Sequence, residues 1–411
     1  MAGAHRPVPG EARRSRAAAD VPLSALADDV RRTALAEQWF PDLRAPLRVE
    51  VVPLVERRRC SLHRIRLAGG EVQHDVLLKV RHAGGLTGGD GGGARSRPLL
   101  APGLVLPESE RAALELQGLQ QAVAGVTADP SPAGRLAAVR PLLLLEEQAA
   151  LVMDFVPWPT LRERLHAAHR GRRRRPDLPV VGAATGEWLR RLHAASPARP
   201  MRSRMTTGAE VAALVPRFAD HLGRLRGERP LLVRLRRAGE VLARELPAAL
   251  PAAVLHGDFA PRNVLVSPAA GVAVVDPMPT WRAAVHEDVA RMLVGVRLTR
   301  LQLISGGLAI AAEELDGFER SFRRAYYGDD GPSLEIAAFG LLVALDQWSA
   351  QLVRTGPGTA LLRRTSGVGV SWLERAVVGE VHRHLDAVEC LTSCVPLARR
   401  APAGPVAQAR R

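Results

Sequence analysis

The sequence predicts an α+β protein with two lobes, a small lobe built on an antiparallel sheet and a larger lobe that is mainly helical. Three β-rich runs follow residue 47, and one of them, "SLHRIRLAG", alternates apolar and polar side chains, apart from one slip, with the period of a half-buried strand. Two later apolar runs, "VRPLLLLEE" and "AALVMDFVP", would complete a sheet of five strands, with one helix before them. Helical patterns dominate after Pro157. The chemistry is therefore expected in the cleft between the lobes.

The predicted division of the chain follows these changes of pattern. The glycine-rich residues 83–98 are expected to form a flexible surface insert, because no Lys-Ser or Lys-Thr pair follows them as a phosphate-binding loop requires. In chain order, the predicted parts are a disordered tail at 1–22, a helix at 23–46, the small lobe at 47–156, the helical lobe at 157–395 and a disordered basic tail at 396–411.

Composition limits the class of protein. No run of about 18 uncharged apolar residues occurs, so no membrane span is predicted, and the N-terminus lacks the apolar segment of a secretory signal. The three cysteines have no framework spacing, which favours a reducing cytoplasm. A net charge of +15 does not predict a nucleic-acid partner, because the arginines are scattered and only 4% of residues are aromatic. The Arg-rich run at 170–175 predicts a solvated loop, with an acidic partner as the alternative.

A single lysine stands out among the 57 Lys and Arg residues. Lys79 lies near the end of the third β-rich run, "HDVLLKVRH", and every other member of the set is arginine. Arginine can replace lysine wherever a solvated charge is sufficient. A compact ammonium, however, fits between phosphate oxygens and a carboxylate where a planar guanidinium does not. The lone lysine therefore predicts a site that requires an ammonium, with chance as the alternative.

A second group of polar residues lies in "VLHGDFAPRNVLVSPAAGVAVVD". Asp258 and Asn263 are five residues apart on a segment that Gly257 and Pro261 keep from being helical, and the apolar runs on either side of "SPAAG" predict a hairpin. The returning strand brings Asp276 beside Asn263. Two oxygen ligands for Mg²⁺ and a free carboxylate that accepts a hydroxyl proton are the parts that phosphoryl transfer needs.

These motifs together resemble the aminoglycoside phosphotransferase and choline kinase-like family, which is related to protein kinases. The resemblance rests on "HGDFAPRN", a downstream Asp, the lone strand lysine and the connector "LVMDFVPWPTL", and it covers roughly residues 47–300. It implies a bilobal protein-kinase-like fold and ATP-dependent phosphorylation of a small-molecule hydroxyl. It also implies that Asp258 is the base or orienter of the acceptor and that Asn263 and Asp276 hold Mg²⁺. Asp288 resembles the aspartate that braces the catalytic loop in this family, with metal binding as the alternative.

The resemblance also implies a nucleotide site in the small lobe. Lys79 would contact the α- and β-phosphates and pair with a glutamate of the following helix, for which Glu110 in "ERAALELQGL" fits best and Glu115 is the alternative. The residues expected to meet adenine are Met153 as gatekeeper, Asp154 through its carbonyl and Val156 through its amide.

Three departures from the family pattern bear on the predicted chemistry. The loop between the first two strands reads "ERRRCS" where protein kinases have glycines, so Ser61 and an arginine are candidates for the phosphate contacts. Ala260 occupies the place of a basic residue that neutralises the transferring group, and Arg262 is the nearest replacement. "PMP" follows the metal aspartate and no activation-segment "APE" follows it, which argues against a protein substrate.

The sequence therefore predicts a cytoplasmic, ATP-dependent kinase of a small molecule. It does not identify the acceptor, although Trp281, Arg282 and His286 are candidates for contact with it. The net positive charge favours an anionic acceptor over a polycationic aminoglycoside. Two alternatives stay open. The glycine-free "ERRRCS" loop is consistent with a pseudokinase or nucleotide-binding regulator, and a contiguous arginine face would indicate a basic adaptor for nucleic acid or membranes.

Overall fold

The computed structural model describes residues 22–57, 60–82, 100, 106–128, 135–169, 176–196, 201–227, 229–299, 302–303, 305, 309–329, 331–354 and 360–393. The predicted insert at 83–98, the Arg-rich run at 170–175 and, apart from residue 22, both predicted tails lie outside these residues.

Strands predominate in the first third of the described chain and helices in the rest. The strands are β1 (Arg48–Arg57), β2 (Cys60–Gly69), β3 (Val72–Arg81), β4 (Leu136–Ala137), β5 (Pro141–Leu145), β6 (Ala150–Asp154), β7 (Ala252–Val254), β8 (Val264–Val266), β9 (Val272–Val274) and β10 (Arg282–Ala284). The helices are α1 (Leu23–Ala36), α2 (Glu108–Thr127), α3 (Leu161–His169), α4 (Leu178–Ala194), α5 (Gly208–Arg226), α6 (Pro230–Glu245), α7 (His286–Arg297), α8 (Ala312–Tyr327), α9 (Ser333–Arg354) and α10 (Ala360–Ser393).

The small lobe contains an antiparallel sheet of five strands in the order β1-β2-β3-β6-β5. Side chains alternate between its two faces. Ile65, Val76 and Val152 pack on one face in a core that includes residues of α1. Met153 and Leu151 lie on the other face, in a cluster with residues of α2 and of the β8–β9 hairpin. The two faces therefore join different parts of the molecule, and the second face borders the cleft.

The larger lobe has two hydrophobic cores. One is formed largely by α5, α6, α9 and α10 and includes the buried rings of Phe218 and Trp348. The other includes residues of α4, α7 and α8 around Trp188 and Phe322, and it also includes Val264 and the other inward residues of the β8–β9 hairpin. The second core packs against one face of the hairpin. Burial of these apolar side chains stabilises the hairpin in its place.

The five-stranded sheet of the small lobe is confirmed, with two differences in neighbouring elements. Helix α1 ends at Ala36, and the chain runs through turns to Leu47, so the helix is shorter than the predicted 23–46. Strand β4 was not predicted. It has two residues and pairs in parallel with β9, which lies more than a hundred residues further along the chain. No pattern in the neighbouring sequence therefore predicts it. None of the described helices is long and apolar enough to span a membrane.

Candidate active site

The predicted hairpin is present, and two of the predicted site residues lie at its open end. Strands β8 and β9 pair antiparallel, with Val264 opposite Val274. The backbone N–H of Val275 donates to the carbonyl of Asn263 over 3.0 Å. Asp276 follows Val275 directly, so Asn263 and Asp276 are neighbours across the hairpin. The arrangement predicted from the two apolar runs is confirmed.

Asp258 lies on the turn before this hairpin, with its side chain 39% exposed. The Asn263 Nδ2 donates to the Asp258 carbonyl over 2.8 Å and to its Oδ2 over 3.1 Å. The guanidinium of Arg262 pairs with Oδ1 of the same carboxylate. Arg262 therefore lies beside Asp258, and it is the residue expected to replace the basic side chain that is absent at Ala260. A carboxylate that is oriented by two donors and still reached by solvent can accept a hydrogen bond from an incoming hydroxyl.

Asp288 holds the backbone of this turn from α7. Its buried carboxylate accepts from the N–H of His256 over 2.6 Å and from the N–H of Gly257 over 3.1 Å. The His193 Nε2 lies 3.1 Å from it. Burial raises the pKa of Asp288, but the hydrogen bond and charge of His193 outweigh that effect, and the net pKa is lowered. These contacts confirm the bracing role predicted for Asp288.

Lys79 is buried at the cleft side of β3 and lies between two carboxylates. Its Nζ donates to both oxygens of Glu115 over 2.9 Å and to Oδ1 of Asp276 over 2.6 Å. The prediction of Glu110 as the partner is corrected, since the alternative, Glu115, occupies that place. Helical periodicity explains the difference: Glu115 belongs to the buried stripe of α2 with Leu119, whereas Glu110 is exposed.

Asp276 has an unusual backbone and a strongly acidic side chain. Its φ is +61°, in the left-handed region that non-glycine residues seldom adopt. Burial raises its pKa, but the adjacent Lys79 ammonium outweighs that effect and lowers the pKa to about 2. Asp276 is therefore an ionised carboxylate at neutral pH, and its side chain remains 41% exposed.

Asn263 and Asp276 together fit a Mg²⁺ ion bound with a nucleotide. The amide nitrogen of Asn263 is engaged by Asp258, so its Oδ1 is the atom left to act as a ligand. A carboxylate oxygen and an amide oxygen are the hard donors that Mg²⁺ prefers. The described residues contain no cluster of three or more His, Cys, Asp or Glu side chains suited to a metal. A bound Mg²⁺ would therefore take its remaining ligands from phosphate oxygens and water.

A second cation, Arg81, lies beside Lys79 and was missed by the sequence analysis. Its Nη2 is 2.5 Å from Oε2 of Glu115 and 3.6 Å from the sulfur of Met278. The signal was present, because residues 79 and 81 have the same parity and lie on one face of a strand that reaches Arg81. Burial raises the pKa of Glu115, and the charges of Lys79 and Arg81 act against that rise.

Two of the residues predicted to meet adenine, Met153 and Asp154, lie in β6 beside β3, and Val156 follows the end of that strand. Met153 is buried in β6 opposite Leu77, on the same sheet face as Lys79. The Asp154 carboxylate accepts two hydrogen bonds from Arg140, over 2.8 and 3.0 Å. The backbone atoms of Asp154 and Val156 that would contact adenine stay predictions.

Ser61 lies on the wrong face of the sheet for the predicted phosphate contact. Leu62 is opposite Lys79 in the β2–β3 register, so its neighbour Ser61 points to the other face. The hydroxyl of Ser61 is buried there, 2.9 Å from Nε2 of His63. The arginines of the β1–β2 turn, Arg58 and Arg59, lie outside the described residues.

A cavity of about 600 Å³ opens beside Asp258, on the side of the larger lobe. Its volume falls within the range of roughly 300–1,000 Å³ that is usual for small-molecule sites. Residues of α7, of α9 and of the turn that carries Asp258 form much of its wall. The charged lining residues are Arg162, Arg262, Arg291, Asp258 and Asp346. The apolar lining includes Leu298, Leu303, Val343, Ala350 and Val377. The cavity is therefore large enough for a small molecule and reaches Asp258.

The three residues proposed for acceptor contact after Asp276 do not line this cavity. His286 is buried, with its Nδ1 2.7 Å from the hydroxyl of Tyr327. Arg282 donates to the carbonyl of Ala252 over 3.0 Å. Trp281 and Arg282 lie at the edge of the small β7–β10 sheet instead. The contact of these three residues with an acceptor stays a prediction, which the position of the cavity does not support.

Comparisons with known proteins support the fold described above. A family model described as "Phosphotransferase enzyme family" matches residues 106–329, just over half of the chain. A choline kinase from Cryptosporidium parvum Iowa II has a similar structure, with a TM-score of 0.53 at 8% identity, and the match covers 90% of this chain and 98% of that one. A candidate aminoglycoside phosphotransferase from Ralstonia eutropha JMP134 matches with a TM-score of 0.51 at 13% identity, over 88% and 98%. No curated protein matches the sequence. The predicted bilobal kinase-like fold is confirmed.

Proposed function

We propose that this chain, which belongs to the phosphotransferase enzyme family, transfers the γ-phosphate of ATP to a hydroxyl group of a small molecule. The family membership confirms the resemblance predicted from the motifs, and with it the prediction of a phosphotransferase. The donor, the metal, the acceptor and the roles of individual residues belong to the proposal.

The observation that carries the proposal is the position of Asp258 between two features. On one side lies the cavity of about 600 Å³. On the other, Asn263 joins Asp258 to the end of the hairpin, where Asp276 pairs with Lys79 over 2.6 Å. An acceptor in the cavity and a nucleotide on Lys79 would therefore approach each other at Asp258. Holding two reactants in this way supplies much of the catalysis in phosphoryl transfer.

In this proposal three side chains have separate roles in the transfer. The carboxylate of Asp258 accepts a hydrogen bond from the acceptor hydroxyl and takes its proton as the oxygen forms a bond to the γ-phosphorus. The bond between that phosphorus and the bridging oxygen of the β-phosphate breaks, and ADP leaves with the electron pair. Arg262, beside Asp258, offsets negative charge on the transferring group, and Lys79 holds the phosphates that remain with the nucleotide.

Asn263 and Asp276 are the residues that would hold Mg²⁺. When bound, the ion neutralises charge on the nucleotide phosphates. The chain contributes an ionised carboxylate and an amide oxygen whose orientation is set by the hydrogen bonds of Asn263 to Asp258.

The charges of the cavity limit the class of acceptor. Three arginines and two aspartates line it among the described residues, and one of those aspartates is the proposed base. The lining therefore has no excess of carboxylates that could bind a polycation. Apolar side chains, including Leu298, Val343 and Val377, form another part of its wall. A neutral or anionic hydroxyl compound with some apolar surface fits this lining better than a polyamine sugar does.

Thermal unfolding with and without Mg²⁺-ATP tests the proposal. A ligand that binds only the folded state stabilises it by RT ln(1 + [L]/Kd), so wild type should unfold at a higher temperature with Mg²⁺-ATP. Asp276→Ala should lose the shift. Asp258→Asn should keep the shift but lose ADP release in a screen of neutral, anionic and cationic acceptors.

The outcomes separate the alternatives. A shift in wild type together with ADP release that needs Asp258 supports the kinase. A shift without any release across the acceptor classes favours the pseudokinase or nucleotide-binding regulator. No shift at millimolar Mg²⁺-ATP would contradict the nucleotide site.

A further inference from the structure

Arg81 makes an ion pair that the proposed reaction does not yet use. Its Nη2 lies 2.5 Å from Oε2 of Glu115, the same carboxylate that Lys79 contacts over 2.9 Å. Two cations therefore share one buried carboxylate. The Nε of Arg81 is also buried and has no hydrogen-bond partner among the described residues.

The position of Arg81 does not depend on Lys79. Its backbone N–H donates to the carbonyl of Ala149 over 3.1 Å, which fixes the end of β3. Its guanidinium also lies 3.6 Å from the sulfur of Met278 and 3.8 Å from Oε2 of Glu108. Arg81 thus joins the sheet to α2 and to the segment after Asp276.

The sharing matters because Glu115 is completely buried. Removing the only partner of a buried charge is strongly unfavourable, because the charge is left without solvent or a counter-ion. If Lys79 were the only cation on Glu115, this cost would hold its ammonium on the carboxylate and away from a nucleotide. With Arg81 in place, Glu115 keeps a cation when Lys79 turns toward phosphate oxygens.

The same four side chains set the charge that a nucleotide would meet. Lys79 and Arg81 balance Glu115 and Asp276 in the structure described here. Glu108, 3.8 Å from Arg81, also lies 3.7 Å from Arg111, so this second pair adds no net charge. If Asp276 binds a metal ion, the remaining group of Lys79, Arg81 and Glu115 carries one net positive charge. Without Arg81 that group would be neutral, and it would attract phosphate less.

We propose that Arg81 is a positioning residue for nucleotide binding, which acts through Glu115 by neutralising it and so freeing Lys79 for the phosphates. This inference rests on the proposed function, because it assumes that Lys79 binds a nucleotide. Arg81 itself is not assigned a contact with the phosphates.

A double-mutant cycle tests the proposal, with the Kd of Mg²⁺-ATP measured by calorimetry. Arg81→Met should raise the Kd about tenfold, which corresponds to about 1.4 kcal/mol. Arg81→Lys keeps a cation near Glu115 and should recover part of this loss. In the Glu115→Gln background, where no carboxylate needs a cation, Arg81→Met should change the Kd by less than about twofold.

Two controls accompany the cycle. Arg31→Met removes an exposed arginine that pairs with Asp28 on α1, and it should leave the Kd unchanged. Thermal unfolding of each variant shows whether it is folded, and Arg81→Lys keeps the test valid if Arg81→Met is not.

Each other outcome contradicts the proposal. Equal losses from Arg81→Met in both backgrounds would show that Arg81 contacts the phosphates or supports the lobe independently of Glu115. An unchanged Kd in Arg81→Met and Arg81→Lys, with wild type binding Mg²⁺-ATP and Lys79→Met not binding it, would overturn this inference alone. Equal binding by wild type and Lys79→Met would instead overturn the proposed role of Lys79, and this inference would fall with it.

Discussion

At the scale of single residues, the geometry around Lys79 explains why one lysine stands among so many arginines. The ammonium lies within 2.9 Å of three carboxylate oxygens from Glu115 and Asp276, and the residue is only 5% exposed. A guanidinium is wider and planar, so it cannot place one nitrogen among three oxygens in this way. The sequence singled out Lys79 because its rarity is visible without a structure. Its partners were harder to predict, since Glu110 and Glu115 both lie on the following helix.

We predict that Lys79→Arg weakens Mg²⁺-ATP binding by at least about tenfold and abolishes transfer, while the protein stays folded. The larger group would keep the charge but lose the spacing to Asp276 and to the phosphates. Calorimetry measures the binding, and ADP release measures the transfer. Arg66→Lys, at an arginine that pairs with Glu50 and Asp75 in the same sheet, is the control for a charge-conserving exchange. Wild-type activity in Lys79→Arg would remove the explanation of the lone lysine.

At the scale of elements, α2 connects the two sides of the site through a glycine. A Cβ at Gly118 would lie 2.7 Å from Cβ of Pro277 and 2.9 Å from Cδ of Pro279. The helix therefore packs directly on the segment that follows Asp276. Glu115 is one turn earlier on the same helix, so this close approach helps to fix the distance between Glu115, Lys79 and Asp276.

We predict that Gly118→Ala destabilises the protein by about 1–3 kcal/mol, the usual cost of overpacking a close contact. It should also weaken Mg²⁺-ATP binding, because Pro277 adjoins Asp276. Gly379→Ala is the matched control, since a Cβ at Gly379, in α10, meets no atom within 4 Å. There the helix propensity of alanine should stabilise the protein by up to about 1 kcal/mol. Urea unfolding measures both variants, and a stabilised Gly118→Ala would contradict the packing argument.

The elements that could be predicted are those with a recognisable pattern in their own stretch of sequence. Strands β1 to β3 are β-rich runs in the sequence, and the β8–β9 hairpin has a short turn between two apolar runs, so both were predicted correctly. The two-residue strand β4 pairs in parallel with β9 far along the chain, and no local signal marks it. The cavity beside Asp258 also combines residues distant in sequence, such as Arg162 and Val377. Its location therefore needed the structure.

At the scale of the whole molecule, buried histidines link folding to pH. His256, His286 and His384 are each at most 5% exposed. Burial lowers the pKa of all three because a buried imidazole loses the hydration of its charged form, and the pKa of His286 falls to about 4. They lie two residues before Asp258, in α7 and in α10, so protonation opposes folding in several parts of the larger lobe.

We predict that the free energy of unfolding falls as the pH falls from about 6.5 toward 4. In this window the unfolded chain, with ordinary histidines, binds protons that the folded chain does not, so acid favours unfolding. Each such histidine contributes a slope of about 1.4 kcal/mol per pH unit. Burial raises the pKa of Glu115, so the folded chain can bind a proton there that the unfolded chain does not. This opposite effect offsets the contribution of at most one histidine. Urea unfolding at several pH values from 7.5 to 5 measures the net slope of the free energy of unfolding. His286→Gln, which stays neutral, should lower this slope by about 1.4 kcal/mol per pH unit. A flat profile in wild type would mean that these histidines are already protonated in the folded protein, which their burial argues against.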